Sequence, residues 1–352
     1  MHPILVEIPT PWGELPLYSY GVMLGLSLVV AWYFIMWWGH KKEKLDKELM
    51  ANTFIVTAIS AIVISRLFYI FTNLDKFDTI GEWFAFRQGG LVAYGGFIGG
   101  FLGAWAYLRS KGVPLLAWAD IVVPTLGTGL MFTRVGCYLY GCDFGRPLGD
   151  DAPGWLQSLG TFPKWDVDAS GFVCSDALNG SPAWALHTEK YDIGLDAAAS
   201  LPVHPTQVYE SLAGLTLFGI TMLVWQRRKF RGQVLCVAVV AYGVWRFLIE
   251  YVRDDPERGS AFGFSTSQLI SMLLVPLAGV AYMTLQKRAR EKGESKIPES
   301  ALQREDGDKS AGESKSAAKS RDKKGGGDEP SATSSSGKKK SGGKKKGGGK
   351  KR

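Results

Sequence analysis

Cysteine and histidine are both scarce in this chain of 352 residues, which has four of each. The cysteines Cys137, Cys142, Cys174 and Cys236 are too few for a disulfide framework, and no two of them form a CxxC pair. The histidines form no HExxH motif, which would have indicated a zinc site. The sequence therefore gives no support for a metal site or a cofactor, and we expect neither.

The N-terminus, MHPILVEIPTPWGELP, lacks the basic segment and the small-residue cleavage site of a secretory signal peptide. We therefore expect the first apolar run to remain in the protein as a membrane span.

Large apolar residues are almost absent after about residue 285, where Lys, Gly, Ser and Glu dominate. Such a segment cannot bury enough surface to offset its ordering entropy. We expect 286–352 to be a disordered basic cytoplasmic tail that carries much of the formal net charge of +8. Its KKK and GGGKK blocks could contact nucleic acid, but a solvated or lipid-contacting tail is the more usual role of such runs, and we expect no nucleic-acid partner.

Long apolar runs rich in Trp, Phe and Leu fill the chain from Tyr18 to about Leu285. A hydrocarbon core about 30 Å thick requires roughly 20 apolar residues in a helix. The runs that meet this requirement are 18–38, 52–72, 90–108, 115–133, 206–225, 233–252 and 265–285. The sequence predicts an all-α, polytopic membrane protein with about seven transmembrane helices, which form one transmembrane domain at 1–285.

Loops rich in Lys and Arg follow every second run: HKKEKLDKE, RSKGV, QRRKFRG and QKRAREK. Because such loops stay in the cytoplasm, the N-terminus is predicted outside and the C-terminus in the cytoplasm. The segment 147–203, rich in Gly, Pro, Asp and Trp, then becomes a small extracytoplasmic head or lid. In that oxidising compartment a disulfide could join Cys142 to Cys174 or to Cys137, and the sequence does not choose between them.

The sixth run contains ionisable residues that should not face lipid. Tyr242, Arg246 and Glu250 follow one another at i, i+4 and i+8 and therefore share one helix face. An Arg within a span costs about 2.5–3.5 kcal/mol, so this face must line a protein interior or a wet cavity. The alternatives are a structural Arg246–Glu250 pair or a functional site, and intramembrane ionisable residues favour the second.

Polar residues that are candidates for a functional site also lie in or near other predicted spans. Tyr94 lies within the glycine-rich GGLVAYGGFIGG, where helix packing explains most of the glycines. His204 and Glu210, in VHPTQVYE, lie near the predicted outer mouth, whereas Asp120 lies nearer the cytoplasmic side.

Three arginines are expected to form a cationic pocket near the outer leaflet: Arg134, Arg146 and Arg246. Two of them lie in TRVGCYLYGCDFGRP, whose glycines allow backbone N–H groups to approach an anion. Guanidinium groups bind phosphate oxygens in a bidentate manner. The anion available at that depth is a phospholipid headgroup.

The segment RVGCYLYGCDFGRP resembles the signature of prolipoprotein diacylglyceryl transferases, whose usual form is close to GRIGNFxNGExxGR. Other similar stretches keep the order of that family: MHPILVEI, YSYG, RQGGLVAYGGFIGG, ADIVVP, HPTQVYE and YGVWRFLIEYVR. The resemblance covers about residues 1–285 and excludes the tail. It also implies seven membrane helices with an external N-terminus, in agreement with the loop charges.

Members of this family transfer the diacylglyceryl group of phosphatidylglycerol to the lipobox cysteine thiol of a prolipoprotein and release glycerol phosphate. The resemblance thus implies a transferase of the bacterial inner membrane, with phosphatidylglycerol, other membrane lipid and a prolipoprotein lipobox peptide as partners. It implies catalytic roles for Arg134, Arg246, His204, Tyr94 and Tyr20. It implies substrate-binding roles for Arg146, Gly136, Gly145, Tyr242, Glu250, Glu210, Cys137, Gly95, Gly96 and Asp120.

The sequence departs from the family pattern at three positions. Tyr94 stands where many members have a histidine proposed as the catalytic base, Cys137 replaces the signature asparagine, and Cys142 replaces the signature glutamate. We therefore weigh His204 and Tyr94 as the base that deprotonates the substrate thiol, or no base at all if the arginine field suffices. A phenol is a poor base unless neighbouring cations lower its pKa.

Two other classes of function remain open at this level. A non-enzymatic phospholipid carrier would use the arginines only to bind headgroups. A membrane thiol oxidoreductase would use Cys137 and Cys142, although the missing CxxC and the number of arginines argue against it.

Overall fold

A computed structural model describes residues 3–11, 13–74, 77, 79–84, 90–164, 180–254 and 260–292. Most of the predicted tail at 286–352 lies outside these residues, as does Cys174, so the expectations for both remain predictions.

The described residues are mostly helical. The helices are α1 (Ser19–Glu43), α2 (Lys47–Thr72), α3 (Ala93–Ser110), α4 (Leu115–Tyr140), α5 (Gly154–Leu159), α6 (Pro182–Tyr191), α7 (Thr206–Arg227), α8 (Gln233–Ile249) and α9 (Thr266–Lys292). Among them, six are long and apolar enough to cross a membrane. This confirms the predicted class of a helical, polytopic membrane protein.

The third predicted span is the one that differs. It corresponds to α3, which is helical but is not among the six helices that qualify as spans. Five glycines and Arg109 dilute the hydropathy of its 18 residues. The sequence therefore located seven long helices, but one of them lacks the composition of an ordinary span.

Two small β-hairpins were not predicted. Strands β1 (Ile4–Thr10) and β2 (Gly13–Tyr18) pair antiparallel just before α1, and β3 (Ser260–Ala261) pairs with β4 (Phe264–Ser265) just before α9. Both are too short to change the fold class.

Close helix crossings explain many of the glycines. A Cβ atom on Gly99 of α3 would lie 2.4 Å from the Ser60 carbonyl oxygen of α2. A Cβ atom on Gly127 of α4 would lie 2.7 Å from the backbone nitrogen of Phe218 in α7. Small residues thus allow the backbones to approach in both pairs. A buried cluster then joins α4, α7 and α8: Val123, Leu217, Met222, Trp225, Val234 and Ala238.

Asp120 holds the start of α8 rather than a ligand. Its buried carboxylate accepts backbone N–H bonds from Gly232 (2.8 Å), Val234 (3.0 Å) and Leu235 (3.1 Å). Arg246 lies towards the other end of α8, a helix whose 17 residues span about 25 Å. The structure therefore places Asp120 away from the predicted substrate-binding residues and gives it the role of a helix cap.

The described part of the predicted head, 147–164 and 180–203, shares a small core with the loop that follows α4. Phe144, Phe162, Ala183 and Val203 are buried together. His187 of α6 is buried beside them, with its ring 5.6 Å from that of Phe144, and its Nδ1 accepts the Leu201 N–H at 3.1 Å. The head thus packs on the loop that follows α4.

Substitution of Asp120 by Ala should lower the free energy of unfolding by about 2–3 kcal/mol, because three buried N–H groups lose their charged acceptor. Asp120→Asn keeps one acceptor oxygen and should cost less. Thermal unfolding of the detergent-solubilised protein measures both effects. Equal stability of Asp120→Ala and the parent protein would contradict the capping role.

Acid should weaken the head through His187. Burial lowers the pKa of His187 from 6.5 to about 4, so unfolding takes up a proton at any pH between these values. The associated stability is present above about pH 6.5 and is lost as the pH falls to about 4, by up to about 3 kcal/mol. The free energy of unfolding should therefore differ less between pH 7.5 and pH 4.5 in His187→Gln than in the parent protein. The His204→Gln variant serves as the control and should resemble the parent protein more closely.

Candidate active site

Two arginines and two carboxylates form a closed ring of ion pairs at the C-terminal end of α4. Arg134 Nη1 lies 2.6 Å from Asp143 Oδ2, and Arg253 Nη1 lies 3.0 Å from Glu210 Oε1. The other two sides of the ring are Arg134 Nε with Glu210 and Arg253 Nη2 with Asp143. Each arginine therefore contacts both carboxylates. We call these four residues the charge ring.

The charge ring brings together α4, the loop after it, the first turns of α7 and the segment that follows α8. Its Arg253 and Glu210 side chains are 1% and 3% exposed, whereas those of Arg134 and Asp143 are 18% and 32% exposed. Buried charges are tolerated only when they are paired and hydrogen-bonded. The ring pairs two positive with two negative groups, and hydrogen bonds accompany three of its four ion pairs; Glu210 Oε2 contacts Arg134 Nε as an ion pair alone. Asp143 is its most exposed member.

Asp143 remains ionised at any physiological pH. Its burial would raise the pKa of the carboxyl group, but the Arg134 and Arg253 guanidiniums outweigh burial and lower that pKa from 3.8 to about 2. The Thr206 hydroxyl donates to the Asp143 carbonyl oxygen at 2.6 Å, which fixes the same residue through its backbone.

Backbone hydrogen bonds join three segments beside the charge ring. The Gly145 N–H donates to the His204 carbonyl at 3.0 Å, the Arg146 N–H donates to the Val252 carbonyl at 2.9 Å, and the His204 N–H donates to the Arg146 carbonyl at 3.0 Å. Gly145 is required here because a Cβ atom would lie 2.6 Å from the Val252 oxygen. The predicted residues Gly145, Arg146 and His204 are thus assembled by main-chain contacts.

Arg146 supplies an exposed cation at this point. Its side chain is exposed, and no residue in the described ranges forms an ion pair with its guanidinium. His204 is partly buried, which lowers the pKa of its imidazole and favours the neutral form that can accept a proton. Its Nδ1 lies 3.4 Å from the Tyr209 hydroxyl.

Three further predicted residues lie where α1 meets α4. A Cβ atom on Gly136 would lie 3.1 Å from the Cα atom of Tyr20, so the two helices pack closely at this position. The Cys137 sulfur lies 3.8 Å from Arg134 Nη1.

The predicted polar face of α8 is observed as well. Arg246 Nη1 donates to Glu250 Oε2 at 2.7 Å, and Arg246 Nη2 donates to the Ser267 hydroxyl of α9 at 2.8 Å. Tyr242 lies one helical turn before Arg246 in α8. The predicted Arg246–Glu250 pair is therefore present.

Tyr94, Gly95 and Gly96 are not brought into this cluster by any contact of the described residues. The Tyr94 side chain is 53% exposed and forms no hydrogen bond or ion pair with a described residue. A Cβ atom on Gly95 would lie 2.8 Å from the Ser65 Cα atom, which is helix packing against α2. With Asp120, these are the predicted site residues whose placement gives no support for a role at the site.

Asp143 and Arg253 were missed by the sequence-based prediction. Arg253 is the last residue of YGVWRFLIEYVR, and Asp143 is one residue beyond the position of the signature glutamate. Both residues therefore lie in or beside the motifs of the family. Neither lies within an apolar run, and the prediction selected charged residues mainly because they interrupt such runs. Only the folded chain shows that they close the ring.

Removal of one ring member should unfold the site. Arg253→Met leaves buried Glu210 with a single partner and should lower the free energy of unfolding by about 3–5 kcal/mol. The matched control Arg146→Met removes an exposed cation and should change stability by less than about 0.5 kcal/mol. The double variant Arg253→Met/Glu210→Met should recover part of the loss. Equal unfolding temperatures for Arg253→Met and Arg146→Met would rule out a structural role of the ring.

Comparison with known proteins identifies the family. Residues 3–285 match the family model described as prolipoprotein diacylglyceryl transferase. The chain is 29% identical over 277 residues to the phosphatidylglycerol–prolipoprotein diacylglyceryl transferase of Clostridium tetani, a match that covers 78% of this chain and 94% of the relative. It is 30% identical to a second such transferase, from Clostridium perfringens (78% and 92% covered), and 28% identical to the one from Psychrobacter arcticus (80% and 92% covered). The chain therefore belongs to the prolipoprotein diacylglyceryl transferase family of membrane enzymes.

Proposed function

We propose that this chain transfers the diacylglyceryl group of phosphatidylglycerol to the lipobox cysteine of prolipoproteins, the first step of bacterial lipoprotein maturation. The observation that carries this proposal is an exposed Arg146, whose main chain is fixed by backbone hydrogen bonds beside the charge ring, in a chain that matches the family over residues 3–285. Such an arrangement suits an anionic headgroup at the edge of a membrane.

The charges of the loops support an orientation of the helices in the membrane. The charge ring lies at the C-terminal end of α4, whereas the Lys-rich loop after α1 lies at the other end of the bundle, where Glu43 pairs with Arg228 at 2.6 Å. Because basic loops stay in the cytoplasm, we place the ring on the periplasmic side of the inner membrane. We assign 1–285 as the catalytic domain, with 147–203 as its periplasmic head, and 286–352 as a cytoplasmic tail.

The reaction forms one bond and breaks another at a glyceryl carbon. The substrate thiol loses its proton, its sulfur attacks the carbon that carries the phosphate ester, and glycerol phosphate leaves with the electrons of the C–O bond. The thiolate is the reactive form of a cysteine. Negative charge grows on the leaving phosphate oxygen, where preorganised guanidinium groups are most effective.

The arginines divide this work unequally. Arg134 and Arg253 are neutralised by Asp143 and Glu210, so their charge is largely committed within the protein. Arg146 has no such partner among the described residues and is the cation most available to a phosphate. We propose that the ring fixes the position of the headgroup site, that Arg146 contacts the phosphate, and that Tyr242, Arg246 and Glu250 line the side towards α9.

His204 is the better candidate for the base. It is partly exposed, neutral because burial lowers its pKa, and its backbone is bound to that of Arg146. His204→Ala should lower turnover by about 10²-fold or more, as is usual for loss of a general base. Tyr94→Phe should keep near-normal turnover.

The measurement uses purified protein, phosphatidylglycerol vesicles and a lipobox peptide, with the diacylglyceryl thioether detected by mass spectrometry and glycerol phosphate assayed in solution. Activity of the parent protein should fall as the pH drops through the pKa of His204, because the protonated ring cannot accept a proton. Near-normal turnover of both variants would show that neither residue is the base. Lipid binding without glycerol phosphate release would instead indicate a carrier.

A further inference from the structure

Helix α4 ends in a turn that places two cysteine side chains side by side. Gly141 adopts a left-handed conformation (φ 84°), and the N–H groups of Gly141 and Cys142 both return to the Cys137 carbonyl, at 2.8 and 3.1 Å. The bond from Cys142 to Cys137 is the six-to-one hydrogen bond of a Schellman turn. In this turn the side chains of the two bonded residues commonly contact each other. The spacing Cys-x-x-x-Gly-Cys therefore brings the thiols together through backbone geometry.

The three potential ligand atoms at this turn are close together. The sulfurs of Cys137 and Cys142 and a carboxylate oxygen of Asp143 all lie within 4.8 Å of one another, and both cysteines are free thiols. Cys137 is buried and Cys142 is partly exposed. The hydrogen bond with Cys137, reinforced by burial, raises the pKa of the Cys142 thiol, so thiol–disulfide exchange at this residue is slow at neutral pH and faster as the pH rises.

A metal ion does not suit this cluster. The Asp143 carboxylate is already bound by Arg134 and Arg253, and a divalent cation would have to displace them. Two guanidiniums would then be left beside the added positive charge. Thiol oxidation adds no net charge, so the chemistry of the pair favours a disulfide.

We propose that Cys137 and Cys142 form a modification site, which a low-molecular-weight or protein disulfide closes into an intramolecular disulfide that switches the transferase off. One cysteine sulfur attacks the oxidant and releases a thiol, and the other cysteine sulfur displaces the second thiol. The two electrons and two protons of the pair leave with the oxidant as two thiols. This proposal rests on the proposed function and on the placement of the site in an oxidising compartment.

Formation of the disulfide would affect the charge ring because Cys142 is bonded directly to a ring member along the chain. Asp143 follows Cys142 directly and is bound to Arg134, which lies three residues before Cys137. A disulfide requires the sulfurs to approach to about 2.05 Å, which pulls the Cys142 side chain towards α4. The Asp143 carboxylate then shifts against its two guanidiniums. Because misplacement of a site by about 1 Å can cost 100-fold in rate, a shift of this kind is sufficient to stop transfer.

The test treats the purified, reduced protein with oxidised glutathione and then follows the thioether assay and a non-reducing peptide map. The parent protein should yield a Cys137–Cys142 bridge and lose at least about tenfold in activity, with recovery after dithiothreitol. Cys142→Ser should be active and insensitive to oxidised glutathione. Cys236→Ser, which removes a buried thiol in α8, should respond like the parent protein.

Several results would overturn the proposal. These are the absence of a bridge, a bridge from Cys142 to Cys174 instead, or a Cys137–Cys142 bridge with unchanged activity. Stoichiometric Zn²⁺ binding that Cys142→Ser abolishes would assign the pair to a metal instead. If the reduced parent protein forms no thioether, the proposed function fails and the switch fails with it, whereas the peptide map still decides whether the pair is a modification site.

Discussion

The charge ring of Arg134, Asp143, Glu210 and Arg253 is the constraint on which the candidate site depends. Its members come from α4, the loop after α4, α7 and the segment after α8, so it can form only when these elements are correctly packed. In a poorly solvated setting an unpaired guanidinium or carboxylate costs several kcal/mol, and the cost is avoided only when all four groups are present. The ring therefore couples helix packing to the position of the loop that carries Arg146.

This arrangement separates two uses of positive charge. Arg134 and Arg253 hold the site together, whereas Arg146 has a charge that is not cancelled by a described neighbour. In a site made only of unpaired arginines, the like charges would repel one another and destabilise the protein when no lipid is bound. Under the proposed function, a neutral ring beside one available cation keeps the empty site stable and leaves the Arg146 charge available to a phosphate group.

The loop that carries Asp143 is held by contacts on both sides of that residue. Phe144 follows Asp143 and is buried in the core of the head, next to His187. On the other side, the Schellman turn at Gly141 fixes Cys137 against Cys142. Asp143 therefore lies between two packed contacts. A displacement of either contact would move the Asp143 carboxylate relative to the other members of the charge ring.

Local sequence patterns were sufficient to predict the helical membrane class, the location of the seven long helices and the family, because hydrophobic length, loop charge and short motifs are properties of contiguous residues. They also placed Arg246 and Glu250 on one helix face, since residues four apart lie about one turn apart in a helix of 3.6 residues per turn. The partners of Arg134 depended on tertiary structure, because Glu210 and Arg253 are remote in sequence and meet it only when α7 and α8 pack beside α4. For the same reason Asp120 looked like a ligand residue until the folded chain placed the start of α8 against its carboxylate.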